Sequence, residues 1–266
     1  MADNGIFNNA KIPVILRARG YRLYAQNGQR LIDLWLNGGA AVLGHTPPDF
    51  LREIKNTASR GLYAPFPHFT EGRYLKALLK IFPYHSFCLF AAPPPELTEL
   101  YKTGFVKIWR PFLNHAAPFA VNEEPFLVPA LPGIQLWRSG LPLGLCVVVS
   151  GKEENLSQLP QSDTLPPVLL AAAARGLHDI IASPQRGKPD LPRTFKALRT
   201  SAFWKREGIY LSLKNEVEPH KWELLFKKFL DSGFLLPQDQ SSPLILPGEL
   251  SDGEDAKLAA SLEFSL

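Results

Sequence analysis

The sequence predicts an α/β protein: a mixed sheet carrying helices in the middle of the chain, with α+β segments toward both ends. Three observations predict it. Two short alternating runs, Tyr21–Ala25 and Arg30–Leu34, flank Gln26-Asn27-Gly28-Gln29. Asn-Gly between β-prone runs is a strong hairpin signal because both residues tolerate positive φ. In the middle, helical spacing of Tyr74, Leu75, Leu78 and Leu79 stops before Pro83, and the apolar run Ser86–Phe90 follows as a strand. The pairing recurs in the strand Leu145–Val149 and the alanine-rich helix Val168–Ile180. From residue 192 onward, helical and β-type patterns alternate to the end of the chain.

Taken in order, residues 1–19 read as an extended arm with a short apolar strand, Ile12–Leu16. After the hairpin, a glycine-rich crossing (Asn37, Gly38, Gly39) leads to Leu43-Gly44-His45 and the turn Thr46-Pro47-Pro48. Pro48 to Ser59 spaces Phe50, Leu51 and Ile54 as a helix, stopped by Gly61. Leu62 to His68 holds two prolines and cannot be helical. Thr70 is expected to cap the next helix. Past Ser86–Phe90, Pro93-Pro94-Pro95 opens a helix carrying Leu97, Leu100 and Tyr101, with Pro favourable at the first helical position.

Residues 105–133 read as short apolar pieces broken by Pro111, Pro118, Pro125, Pro129 and Pro132. The acidic pair Glu123-Glu124 beside Pro125 reads as a solvated turn. Pro184 to Pro192 reads as a flexible junction. Beyond it come a helix over Thr194–Trp204 and a strand, Ile209–Leu213. A helix from Pro219 follows, with Trp222, Leu225, Phe226 and Phe229 on one face, closed by Gly233. After the strands Phe234–Pro237 and Leu244–Pro247, Ser251-Asp252-Gly253-Glu254 is a capping box that opens a final helix.

Composition narrows the function classes. At 266 residues, 45% hydrophobic and 20% charged, the chain can build one large core or two smaller ones. Proline is abundant, 25 of 266 or about 9% against a usual ~5%, so rigid irregular loops are expected. The net charge of +4 is mild and no basic cluster alternates with aromatics, which argues against nucleic acid as a partner. Cys88 and Cys146 both sit in apolar runs and read as buried thiols. No charged-then-apolar leader opens the sequence and no apolar run reaches ~18 residues, so a soluble, cytoplasmic protein without membrane partners is expected.

The stretch GYRLYAQNGQRLIDLWLNGGAAVLGH at Gly20–His45 resembles the class III aminotransferases, the family of glutamate-1-semialdehyde aminomutase. There a hairpin of the form G-x-x-L-Y-D-x-x-G-x-x-x-I-D precedes a Leu-Gly-His-x-x-P turn; Ala25 stands where the family has Asp. The resemblance covers residues 12–104 and 138–264. It implies a truncated, fold type I large domain of the kind that binds pyridoxal phosphate, plus an α+β small domain built from both chain ends. The implied divisions are 1–68 (arm and small-domain hairpin), 69–183 (truncated large domain) and 184–266 (C-terminal small domain).

The resemblance also says what has changed. The family's Ser-Gly-Thr-Glu-Ala turn, whose N–H groups and hydroxyl hold the cofactor phosphate, is replaced by Pro93-Pro94-Pro95-Glu96-Leu97. Counting back from Ser139-Gly140-Leu141-Pro142-Leu143-Gly144, the Schiff-base lysine position falls on Gln135, which has no amine. Lys152, beside Glu153-Glu154, reads as a surface lysine. Asp is absent from the whole interval 50–162, and with it the acid that would pair with the pyridine nitrogen. Asp163-Thr164-Leu165 resembles the Gly-Thr-Leu turn that reaches the neighbouring subunit's cofactor phosphate, which leaves Thr164 as a residual contact position.

The expectation is therefore a non-catalytic relative, a pseudoenzyme with no cofactor. Its partner would be a second copy, or a full-length aminotransferase whose subunit surface it mimics. The arm, the Thr164 turn and the alanine-rich helix are the interface-type elements that suggest this. Two alternatives compete with it. One is a pyridoxal-phosphate enzyme with a rearranged site, although no lysine occurs between Lys107 and Lys152. The other is a small-molecule binding module whose cleft is lined by Asn37, His45, His68 and Arg138, although lone loop histidines such as His45 and His68 are ordinarily structural.

Overall fold

The computed structural model describes residues 12–114, 117, 119, 126–129, 137–138, 141–142 and 146–264, the short strands at 126–129, 137–138 and 141–142 by their backbone alone. The hairpin forms as its turn chemistry requires. Strand β1 (Ile15–Arg19) pairs antiparallel with β2 (Arg22–Ala25), and β2 with β3 (Arg30–Asp33). The left-handed φ of Gly28 (82°) closes the β2–β3 turn. The first strand lies three residues later than Ile12–Leu16 suggests, because its register is set by pairing with Arg22–Ala25 and contains a bulge between Ile15 and Arg17.

Helix α1 (Pro48–Ala58) starts at the expected proline and α2 (Phe69–Ile81) follows the Pro-rich loop. The cap of α2 is His68 rather than Thr70: its imidazole accepts the Thr70 N–H at 3.3 Å and lies 3.0 Å from the Thr70 hydroxyl. Strand β4 (Ser86–Phe90) and helix α3 (Pro95–Lys102) keep their expected places. Four short strands come next: β5 (Lys107–Ile108), β6 (Phe126–Pro129), β7 (Trp137–Arg138) and β8 (Leu141–Pro142). Strand β9 (Cys146–Ser150) leads to the single turn α4 (Glu153–Leu156) and the long α5 (Pro167–Ile181).

The central sheet has the order β4-β9-β6-β5, with only the β5–β6 pair parallel. All five residues of β9 are buried, so both faces of this strand are covered. Leu89, Val147 and Val149 face the main core, whereas Phe90, Cys146 and Val148 face a smaller cluster with Leu97, Val106 and Leu156. Helix α5 packs against α1 and α2. Its Ala171–Ala174 run is buried by those contacts, so the small side chains serve close packing inside one chain.

The segment that reads as a flexible junction is not one. Pro184–Gly187 is a 3₁₀ turn whose Arg186 is buried and donates from Nε and Nη2 to the carbonyls of Val42 and Leu246. Helix α6 (Pro192–Thr200) then stops four residues before Trp204. The Ser201 hydroxyl accepts from the N–H groups of Phe203 and Trp204 and turns the chain into β10 (Trp204–Glu207). This strand pairs with β11 (Tyr210–Leu213) across a turn at Gly208.

Helix α7 (Pro219–Asp231) buries Trp222, Leu225, Phe226 and Phe229. Strands β12 (Phe234–Leu235) and β13 (Leu244–Ile245) and helix α8 (Asp252–Leu262) complete the chain. Strand β12 joins the first hairpin in parallel with β3, β13 extends β11, and α8 packs on α6. Arg22 of the hairpin clamps Glu254 at the start of α8 with two hydrogen bonds, so both ends of the described chain form one α+β unit. Hydrophobic contacts continue from that unit through the main core to α1, α2 and α5.

Candidate functional site

Two places carry the candidate chemistry: the crossing after β3 and the outer edge of β4. At the first, Asp33 is 1% exposed at the end of β3. Its Oδ1 accepts the N–H groups of Trp35 (2.8 Å) and Leu36 (2.9 Å), and its Oδ2 lies 2.7 Å from Nε2 of His45. The His45 N–H in turn donates to the carbonyl of Gly20. Leu36 and Asn37 are held at φ of 46° and 51°, a costly conformation that Asp33 helps to fix through the flanking N–H groups.

His45 and His68 are thus each engaged locally, one with a buried carboxylate and the other as a helix cap. Asn37 is half-buried in the strained turn, and its carbonyl accepts from Ala40. Arg138 falls in β7, paired with Leu141, and its side chain lies outside the described residues, as do Gln135 and Glu123-Glu124. Asp33 is the organiser that sequence reasoning passed over; its place two residues before Trp35 at the end of a β-run was the available signal.

The second place is the strand end where the resemblance puts a phosphate. Residues 162–163 run along the edge of β4. The Leu89 N–H donates to the Ser162 hydroxyl, the Asp163 N–H donates to the Leu89 carbonyl, and the Ala91 N–H donates to Asp163 Oδ2 at 2.8 Å. Past Ala92 come three prolines without N–H groups, and Pro94 caps α3 with no side-chain bond. Thr164 is exposed beside this edge. An anion arriving there meets a carboxylate already seated on the strand-end donor.

The lysines complete the picture. Every lysine among the described residues is exposed. An imine-forming lysine must lose its proton near neutral pH, which requires desolvation or a cationic neighbour. Among the described residues, prolines stand where the resemblance puts the phosphate donors, and no amine is desolvated. The two cysteines are free, and burial pushes the Cys146 thiol up to about 12, so it is not a nucleophile at neutral pH. Cys88 is raised too, again by burial. Among the described residues no cluster of His, Cys, Asp and Glu could hold a metal ion, and no helix is long and apolar enough to cross a membrane.

No family model matches the chain. An uncharacterized protein of Treponema pallidum is 27% identical over 290 aligned residues, covering 88% of this chain and 88% of that protein. A [LysW]-aminoadipate semialdehyde transaminase of Deinococcus radiodurans is 28% identical over 83 residues, which is 30% of this chain and 19% of the transaminase. Among solved structures, an acetylornithine aminotransferase from Elizabethkingia anophelis superposes with a TM-score of 0.67 at 10% identity, spanning 98% of this chain and 95% of the other. An ornithine aminotransferase from Plasmodium yoelii gives 0.64 at 13% identity, spanning 94% and 93%. The fold is that of the fold type I, pyridoxal-phosphate-dependent aminotransferases, as the resemblance in sequence implies.

Proposed function

We propose that this protein is a non-catalytic member of the aminotransferase fold that works through association. It would pair with a second copy or with a full-length aminotransferase. The observation that carries the non-catalytic half is the Asp163 carboxylate bound to the Ala91 N–H at the strand end, in front of three prolines. A phosphate dianion there would face like charge and find no free donor. The exposure of every described lysine supports the same reading.

Support for association comes from the loop between α1 and α2 and the first residue of α2, which present Tyr63, Phe66 and Phe69 at 63%, 53% and 62% exposure. Large exposed apolar side chains concentrated in one short stretch favour a protein partner. The alanine-rich helix no longer supports this half, since its small residues are packed within the chain.

The test has two arms. The purified protein is mixed with excess pyridoxal phosphate, reduced with borohydride and weighed intact; no stoichiometric adduct is expected, and one adduct on one lysine would overturn the non-catalytic half. Size-exclusion with light scattering is expected to give a dimer mass. A strict monomer that co-purifies with no aminotransferase would overturn the other half.

A further inference from the structure

Helices α1 and α2, with the loop between them and the turn after α2, carry most of the protein's net charge. Residues 48–85 hold six Lys and Arg side chains against three acids, in a chain whose net charge is only +4. The same stretch holds four of the five exposed aromatic side chains among the described residues: Tyr63, Phe66, Phe69 and Tyr84, the last 97% exposed. Surplus cations and unburied aromatics thus coincide on one part of the surface.

Helix α2 sets their order. Tyr74, Ala77, Leu78 and Ile81 face the core. The opposite side presents Phe69, Arg73, Lys76 and Lys80, spaced i, i+4, i+7 and i+11, a stripe of roughly 17 Å. Tyr63 and Phe66 extend its N-terminal end on a loop stiffened by Pro65 and Pro67 and tied to α5, where the Val168 N–H donates to the Leu62 carbonyl. Tyr84 stands past the C-terminal end. Arg73 reaches Glu53 of α1 at 3.3 Å, whereas Lys76 and Lys80 have no carboxylate partner among the described residues. Asp49, nearby on α1, is already held by Arg52 and Arg175. The positive field extends to α5: burial, and after it Lys80, Arg175 and Arg73, hold the His178 imidazole below its ordinary value.

The pattern selects the partner. In a two-fold pair through this face, the arginine and lysines of the stripe would meet their own images, and like charges across an interface repel. A second copy is therefore the wrong occupant. A single-stranded nucleic acid calls for aromatics spread along a cationic groove, but here the aromatics stand at the ends of the stripe. A protein surface with an apolar patch beside a strip of carboxylates answers both parts. We propose that this face docks a partner protein other than a second copy, whose apolar patch covers Tyr63, Phe66 and Phe69 and whose Asp and Glu side chains lie along Arg73, Lys76 and Lys80. The proposal rests on the association reading above and narrows its two partners to the unlike one.

Binding of the full chain to synthetic polypeptides tests it. The probes are a random glutamate–tyrosine copolymer, which offers both chemistries, polyglutamate, which offers carboxylates alone, and a lysine–tyrosine copolymer, which reverses the charge. The chain should bind the first at least ~10-fold more tightly than the second, and the third not at all. Lys76→Glu combined with Lys80→Glu, and separately Phe66→Ser, change only exposed side chains. Each should weaken copolymer binding at least ~10-fold. The proposal fails if the two acidic probes bind equally, if neither variant weakens binding, or if phosphatidylglycerol vesicles bind more tightly than the copolymer. It also fails if the charge-reversed variant loses a dimer that the wild type forms, since the face would then be a self-contact. Light scattering on the same samples keeps the two readings apart. A dimer mass without copolymer preference removes only this partner, whereas a strict monomer that co-purifies with no aminotransferase removes association itself.

Discussion

At the hairpin end of the molecule, the residues that resemble an aminotransferase are the same ones that hold the fold together. Asp33 gathers three donors, Arg22 clamps Glu254, and β3 lies parallel to β12 from the far end of the chain. Along the outer edge of the central sheet the resemblance and the contacts part company. There three prolines open α3, and Asp163 accepts the Ala91 N–H at the strand end. Architecture can be kept by any contacts of adequate shape, whereas an anion site needs particular donors left free.

The largest effect is expected at Gly208, where the β10–β11 turn meets the proline-rich strip Pro111–Leu113. This glycine has φ of 58°, and a Cβ on it would overlap the carbonyl oxygens of Phe112 and Leu113. Tyr210 anchors the same strip by donating to the Pro111 carbonyl at 2.8 Å. Gly208→Ala combines a left-handed penalty with backbone overlap and should cost about 4 kcal/mol, read as a loss in denaturant unfolding. A cost under about 1 kcal/mol would mean that the β10–β11 turn and the proline-rich strip are not packed together in solution.

Next comes the clamp between the chain ends. The Arg22 guanidinium, helped by the Ser251 N–H, holds the Glu254 carboxyl at about 2, against an ordinary 4.5. Since the folded value is the lower one, the contribution is present in full above about 4.5 and is lost as pH falls toward 2. With solvent screening of this half-open pair taken into account, the shift corresponds to about 2 kcal/mol. Glu254→Gln should lose about that much stability at pH 7, and the gap to wild type should close on acidification below pH 4.5. A gap that stays constant down to pH 2 would remove the ion pair as its cause.

How far the sequence could be read follows the range of the interactions. The β2–β3 hairpin, the proline starts of α1, α3 and α7, and the Ser251–Glu254 capping box are written in neighbouring residues and were legible. Arg186 was not, because the carbonyls that bury it are 144 and 60 residues away in sequence, and PQRGKPDLP has the composition of a loop. The α2 cap shifted from Thr70 to His68 because an imidazole nitrogen can accept an N–H as a hydroxyl does. Trp204 reads as the end of a helix, yet the Ser201 turn and pairing with Leu213 place it in a strand. At the candidate site, the prolines that open α3 were legible, but the seating of Asp163 on Ala91 spans 72 residues and was not.

A smaller effect separates structure from function at His45. If this histidine serves only to complete the Asp33 network, His45→Ala removes one of three partners and leaves the Trp35 and Leu36 bonds in place. The expected cost is about 1–2 kcal/mol, read in denaturant unfolding. A variant of wild-type stability would show that Asp33 is satisfied without the imidazole.

The smallest expected effect belongs to Asp163→Asn, and it bears most directly on the comparison. The amide oxygen can still accept from Ala91 while the negative charge is gone, so stability should change by less than about 1 kcal/mol. If like charge alone kept phosphate away, the variant would take up pyridoxal phosphate or inorganic phosphate, measurable by calorimetry. The proline run argues otherwise, since removing a charge restores none of the N–H donors that Pro93, Pro94 and Pro95 lack. No binding is expected from Asp163→Asn, nor from Asp163→Asn combined with replacement of one proline, because a single recovered donor does not make an anion cradle. Uptake by the single variant would place the loss in one carboxylate and make the strand end far closer to a working phosphate site than its prolines imply.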